Sequence, residues 1–336
     1  MREILWLQRA GSGDSEMVGR DQVASLRSIG RTSVQLELVG SGASIGEIER
    51  LASELTVTSL APILAVGGAV ESAMGSGRRV ALFVPDPTVG VDWTTFGSRC
   101  HRVPTTEPGF VDRMSRVGVE DVMLVEPNVS IHPMELPSEA ERAGMTAYLH
   151  ARSRDWLSVE AFCEAWMRSP WTEATNLVLS SPDVPRHDCL RSVEAVARRC
   201  GRDGIGDRIS PIGIPNADQV DAMILRADLV VDVPITGCGW PTVLAKSCRV
   251  GKPILCTRVH GIASHVADAS WIDVPEIEGE RLGRTDLPRD HLVDLFRIAI
   301  ERWPVEVKVG RMLPSRLPTM SEACEIVAID LSLEGV

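Results

Sequence analysis

Short runs rich in Val, Ile and Leu punctuate the chain: ILWLQ (4–8), VQLELV (34–39), RVALFV (79–84), DVMLV (121–125), NLVLS (176–180), LVVDV (229–233) and PILCT (253–257). Most are continuously apolar and do not alternate, which is the pattern of strands buried on both faces of a parallel sheet. The segments between them carry a helical period and predict helices over 15–29, 44–54, 61–75, 108–117, 155–168, 187–200, 216–227, 241–250 and 287–302. Strand–helix alternation along the whole chain predicts an α/β protein with doubly wound sheets.

The alternation breaks once. VEPNVSIHPMELPSEAERAG (125–144) holds three prolines and no period, the mark of a linker. It divides the chain into an N-terminal domain over 1–128 and a second α/β domain over 129–316. The tail LPTMSEACEIVAIDLSL (317–333) has a helical apolar period behind a possible Ser321 cap, so 317–336 is expected to form a separate helix. Two such domains joined by a hinge are expected to bind ligand at the carboxyl ends of their strands.

Composition narrows the partners. With 336 residues, 44% hydrophobic and 24% charged, the chain can bury a substantial core. Its net charge of −11 argues against a surface that tracks a nucleic-acid backbone, although a few clustered arginines can still hold one or two phosphates. The eight cysteines form no CxxC pair and no zinc-like spacing, which predicts reduced, structural thiols. His260 and His265 are too loosely spaced for a metal pair, and no metal or other cofactor is expected. The opening MREILWLQRAGSGD has too short an apolar run for a signal peptide, and no stretch approaches the about 20 apolar residues of a membrane span. The expected location is the cytoplasm.

Two glycine-rich segments are candidates for ligand contact. Gly11-Ser12-Gly13-Asp14 lies between the first strand and the first predicted helix, where a ligand can approach free N–H groups. An ordinary turn with Asp14 or Ser15 as N-cap explains it equally well. The second segment is longer. DAMILRADLVVDVPITGCGWPTVLAKSCRVGKPILCTRVHGIASHV (221–266) runs helix, buried strand, glycine turn, helix, strand and glycine turn.

This second segment resembles the donor-binding half of GT-B glycosyltransferases, and specifically the family-4 retaining enzymes. Ala227-Asp228 matches their "AD", Gly239-Trp240-Pro241 their "GFP", Gly251-Lys252-Pro253 their "GKP", and Thr257 to Ile262 their "TxVGGI", in the same order and spacing. Weaker echoes place Ile212-Gly213-Ile214 where the family packs its nucleotide base, Gly11 to Asp14 at its glycine loop, and LFVPD (82–86) at its "VVHD". The resemblance implies two Rossmann-like domains facing across a cleft, with a final helix crossing back to the first. It also implies transfer of a sugar from an activated nucleotide-sugar or sugar-phosphate donor, without metal, to a small-molecule or glycan acceptor. The donor would lie against Gly11, Gly13, Arg154, Gly213, Ile214, Gly239, Trp240, Pro241 and Thr242. Trp240 either stacks near the sugar or packs in the core where relatives have Phe, and packing is favoured.

The charged residues depart from that family. Its two glutamates flanking the "GFP" loop fall on Cys238 and Lys246, its phosphate-binding Arg on Tyr148, its Lys on Ser153, and its histidine on Pro85. Two readings fit. In one, shifted cations still hold a phosphorylated donor: Arg152 and Arg154 on the diphosphate, Lys246 adding charge from the helix, and Asp86 at the acceptor hydroxyl. In the other, the donor site has decayed, Lys246 is a solvated helix residue, and the protein is a binding or scaffolding subunit.

Overall fold

The computed structural model divides the chain into two compact units, Met1–Ser130 with Pro314–Val336, and Ile131–Leu313. The structure describes, in the first unit, six strands together with Val111, Ser115 and Arg116. In the second it describes residues 144–151, 156–173, 175–181, 184–202, 208–235, 241–259, 266–274, 287–306 and 308–312.

In the first unit, β1 (Arg2–Arg9), β2 (Thr32–Val39), β3 (Val57–Ser59) and β4 (Ala81–Phe83) form a parallel sheet in the order β2-β1-β3-β4. β1 pairs with β2 along its full length, from Arg2 opposite Thr32 to Arg9 opposite Val39. β5 (Val103–Thr105) and β6 (Val122–Leu124) form a second parallel pair. The helices expected over 15–29, 44–54 and 61–75 lie outside the described residues, as does the C-terminal helix expected over 317–336. Within the helix expected over 108–117, Val111, Ser115 and Arg116 are helical.

The second unit is built on β7 (Met145–His150), β8 (Thr175–Ser180), β9 (Ile209–Gly213), β10 (Leu229–Asp232), β11 (Ile254–Thr257) and β13 (Ser270–Ile272). All six are parallel, in the order β13-β11-β10-β7-β8-β9. The chain winds outward from β7 to β9, returns to set β10 beside β7, and winds outward again. That reversal creates a topological switch point between β7 and β10, the place where open α/β sheets bind ligands. A short antiparallel pair, β12 (Val266–Asp268) with β14 (Arg311–Met312), lies outside the main sheet.

Helices α1 (Trp156–Arg168), α2 (Arg186–Arg199) and α5 (Arg289–Glu306) pack one face. Ala147, Leu149, Leu177, Leu179, Leu229, Val231 and Leu255 meet Phe162, Trp166, Val193, Val196 and Phe296 in a single apolar core. Phe162 and Phe296 make an edge-on ring contact with centroids 5.7 Å apart, a geometry that adds to area burial. Helices α3 (Ala217–Arg226) and α4 (Thr242–Arg249) contact β7, β10 and β11 instead.

Several motif residues are explained by this scaffold. Asp228 and Thr146 bond reciprocally: the Thr146 amide donates to the Asp228 carboxylate and the Asp228 amide to the Thr146 carbonyl, both at 2.8 Å. Lys252 Nζ donates to the carbonyls of Leu225 and Ala227 at 2.8 Å, satisfying acceptors that the end of α3 leaves open. Asn216 and Gln219 form a capping box at the start of α3. Pro211 is tolerated in β9 because that strand is at the sheet edge.

Candidate functional site

The carboxyl ends of β7 and β10 flank the switch point, so the segments that follow them are the candidate site. Arg152 and Arg154 belong to the segment after β7, and Gly239 and Trp240 to the segment after β10. All four lie outside the described residues, as do Cys238, Ser153, Gly11, Gly13 and Asp86. The topology nevertheless assigns the two predicted donor segments of the second unit to adjacent strands.

Pro241 and Thr242 are described, and both are buried. Pro241 precedes α4 with no side-chain cap, so the first amides of the helix are not met by the usual hydroxyl or carboxylate of the preceding residue. Thr242 opens the helix, 3% exposed, and its Oγ1 has no hydrogen-bond partner among the described residues. The positive end of the helix dipole and a hydroxyl with no partner among the described residues together make an anion-seeking terminus.

Gly213 ends β9 with φ +75°, and a Cβ there would come within 2.5 Å of the Arg186 amide nitrogen. The glycine is therefore required by the approach of α2 to the sheet, independently of any ligand. Ile214 follows it with 48% exposure, an open apolar surface at the carboxyl edge.

Lys246 requires a correction. It is not a solvated helix residue: its side chain is fully buried, and Nζ donates to Asp221 Oδ1 at 2.8 Å across the α3–α4 contact, with Asp221 equally enclosed. A lysine on the inner face of a short helix is tolerated there because a carboxylate meets it. Sequence reasoning missed Asp221, which reads as an ordinary polar position of α3. Its sign and its place on a helix adjacent in sequence were the available signals.

Tyr148 stands where the resemblance has a phosphate-binding Arg. It lies within β7, fully buried, and bonds with Ser180 and His150. Neither partner was singled out from the sequence. Among the described residues no cluster of His, Cys, Asp and Glu is arranged to hold a metal ion, and no helix is long and apolar enough to cross a membrane. Burial pushes the Cys163 and Cys248 thiols up to about 12, so neither is a nucleophile at neutral pH.

No protein-family model matches the chain, and no curated protein matches it significantly. Solved structures do. HepE of Anabaena, in complex with UDP and glucose, is similar over 99% of this chain and 98% of its own, at 12% identity and a TM-score of 0.61. A candidate UDP-N-acetylglucosamine 2-epimerase from Listeria monocytogenes is similar over 99% and 97%, at 11% identity and a TM-score of 0.58. A glycosyltransferase from Rickettsia africae is similar over 98% and 93%, at 12% identity and a TM-score of 0.56. At these identities the likeness is one of fold: the chain is an α/β protein of the GT-B class, with two Rossmann-like units.

Proposed function

We propose that the chain is a glycosyltransferase that moves a sugar from a nucleotide-sugar donor to an acceptor hydroxyl or amine, with retention at the anomeric carbon. The observation that carries this reading is the start of α4. It follows β10, a strand of the switch point, with a buried Thr242 hydroxyl that lacks a partner among the described residues. The diphosphate of a donor supplies the negative charge and acceptor oxygens that such a terminus lacks. Ile214, exposed at the end of β9, offers an apolar platform for the base. That HepE is in complex with UDP and glucose supports the same ligand class.

In this reading the bond from the anomeric carbon to the phosphate oxygen breaks, and a new bond forms to the acceptor oxygen or nitrogen. Arg152, Arg154 and the α4 amides stabilise the departing phosphate, and Asp86 receives the acceptor's proton. Gly239, Trp240 and Pro241 shape the turn beside the sugar, and Gly11 and Gly13 admit substrate after β1. Lys246, drawn to Asp221, supports the α4 terminus from one turn below instead of touching the donor. No metal enters the scheme, and the protein works in the cytoplasm.

A second reading has its own support. The cation expected to reach the donor is committed to Asp221, which favours a non-catalytic homologue serving as a binding subunit. One set of measurements separates the readings. Melting temperature is followed with UDP, UDP-glucose and other nucleotide sugars, and UDP release is assayed with cell extract as the acceptor source. Transfer predicts stabilisation and acceptor-dependent UDP release. Stabilisation alone points to the binding subunit, and a sugar that changes configuration without an acceptor points to epimerisation. No shift with any nucleotide sinks the donor site altogether.

A further inference from the structure

The two faces of the second sheet differ sharply at their carboxyl ends. On the face toward α1, α2 and α5, Leu149, Leu179, Val231 and Leu255 join the apolar core. Side chains alternate along each strand, so the next residues, His150, Ser180, Asp232 and Cys256, share the opposite face. The register sets them in one row across four adjacent strands. His150 is opposite Ser180, Asp232 is opposite Cys256, and Val231 opposite Leu149 brings Asp232 level with His150. One row toward the amino ends, Val178, Val230 and Ile254 restore apolar character, and Tyr148 alone among them is polar. At the amino ends of β7 and β8 the same face sets Thr146 opposite Asn176, so it is polar at both ends, and the His150–Ser180 row lies at the end where α/β proteins bind ligands.

Tyr148, Ser180 and His150 form a hydrogen-bonded network. Tyr148 Oη and Ser180 Oγ are 2.8 Å apart, His150 Nδ1 and Ser180 Oγ 2.9 Å, and Tyr148 Oη and His150 Nδ1 3.3 Å. All are buried, His150 at 2% exposure and the others fully. Parallel sheets normally fill such positions with Val, Ile or Leu, and a buried polar group must be matched or it costs stability. The Ala151 amide donates to the Ser180 carbonyl at 2.7 Å, and the Ser181 amide to the Gly213 carbonyl at 2.9 Å, which ties the ends of β7, β8 and β9 together.

We propose that the Tyr148–Ser180–His150 network is a positioning element for a nucleoside diphosphate, fixing the carboxyl ends of β7 and β8 beside the end of β9 that carries Ile214. The inference rests on the donor reading above. Being sealed from solvent, the three side chains hold the site instead of reacting in it. They are positioning residues.

The test is titration calorimetry of the full chain with UDP, paired with a thermal melt of each variant. Ser180→Ala and His150→Leu are expected to weaken UDP binding about tenfold. His150→Asn, whose side-chain amide can stand near the place of Nδ1, is expected to stay within about twofold of the parent. Tyr148→Phe, the mildest change, keeps the ring and removes one hydroxyl, and a loss of UDP affinity without a change in melting temperature supports the proposal. Variants that melt lower yet bind UDP as the parent does overturn it and leave the donor reading standing. A parent chain that binds no UDP overturns both.

Discussion

Lys246 and Asp221 are two opposite charges with no exposure, 2.8 Å apart between two helices. Their attraction is strong in a dry interior, but both were taken out of water to meet, so the pair contributes little net stability while each member depends on the other. Lys246→Met alone is expected to destabilise the protein by about 3–5 kcal/mol, because it removes the ammonium that faces a buried carboxylate. Combining it with Asp221→Leu is expected to recover most of that loss, as read from urea denaturation midpoints. Equal and additive losses would show that the two charges are not coupled. Cys163 makes a second prediction at this scale. Burial, with a contribution from Glu160, raises its thiol from 9.0 to about 12. A raised pKa means the associated stability is fully present below the unfolded value and is lost as pH climbs toward the folded one. At pH 10.5 the unfolded thiol is mostly ionised and the folded one is not, which costs about 2 kcal/mol. Cys163→Ala should therefore lose less stability between pH 8 and 10.5 than the parent in matched urea melts, and parallel losses would refute the assignment.

At the scale of elements, two glycines separate backbone conformation from close approach. Gly213 has φ +75°, and an added Cβ would strike the backbone of Arg186, whereas Gly201 has φ +63° and nothing within 4 Å. Gly201→Ala is expected to cost about 1 kcal/mol for the left-handed conformation alone. Gly213→Ala should cost about 2–4 kcal/mol, since α2 must also retreat from β9. Similar costs in thermal unfolding would mean that α2 is not held against the strand. The same distinction explains what could be read from the chain. Strands β8, β10 and β11 and helices α1 to α5 coincide within a few residues with the predicted runs, because continuous apolar stretches and the 3.6 period survive into the fold. β7 was not among the apolar runs because its sequence MTAYLH mixes Thr, Tyr and His into a central strand, and Ser180, which bonds both Tyr148 and His150, lies 30 residues or more away in sequence. β9 was obscured by Ser210 and Pro211, tolerable only at an edge. Asp228 and Lys252 stood out as motif residues, yet their bonding is to backbone. A motif can thus be legible through the fold it stabilises, while the ion pair that encloses Lys246 depends on packing between helices that no local pattern encodes.

For the whole molecule, the decisive question is where a donor leaves its imprint. A ligand that binds only the native state stabilises it by RT ln(1 + [L]/Kd), about 2.7 kcal/mol at a hundredfold excess over Kd. That gain does not by itself locate the site, whereas amide exchange does, because it resolves local opening along the chain. If UDP is held at the switch point of the second unit, slower exchange should concentrate after β7, at the start of α4 and around Ile214, the segments at the carboxyl ends of β7, β10 and β9. Helices α1, α2 and α5 pack the opposite side of the sheet through an apolar core and should change no more than global stabilisation requires. The comparison is internal to one sample, since both sets of amides report on the same molecules with and without UDP. Protection confined to α1, α2 and α5, or spread evenly along the second unit, would place the nucleotide elsewhere and detach Thr242 from the donor phosphates. Protection at all three carboxyl-end segments would tie the unpaired hydroxyl, the switch point and the exposed isoleucine to one ligand.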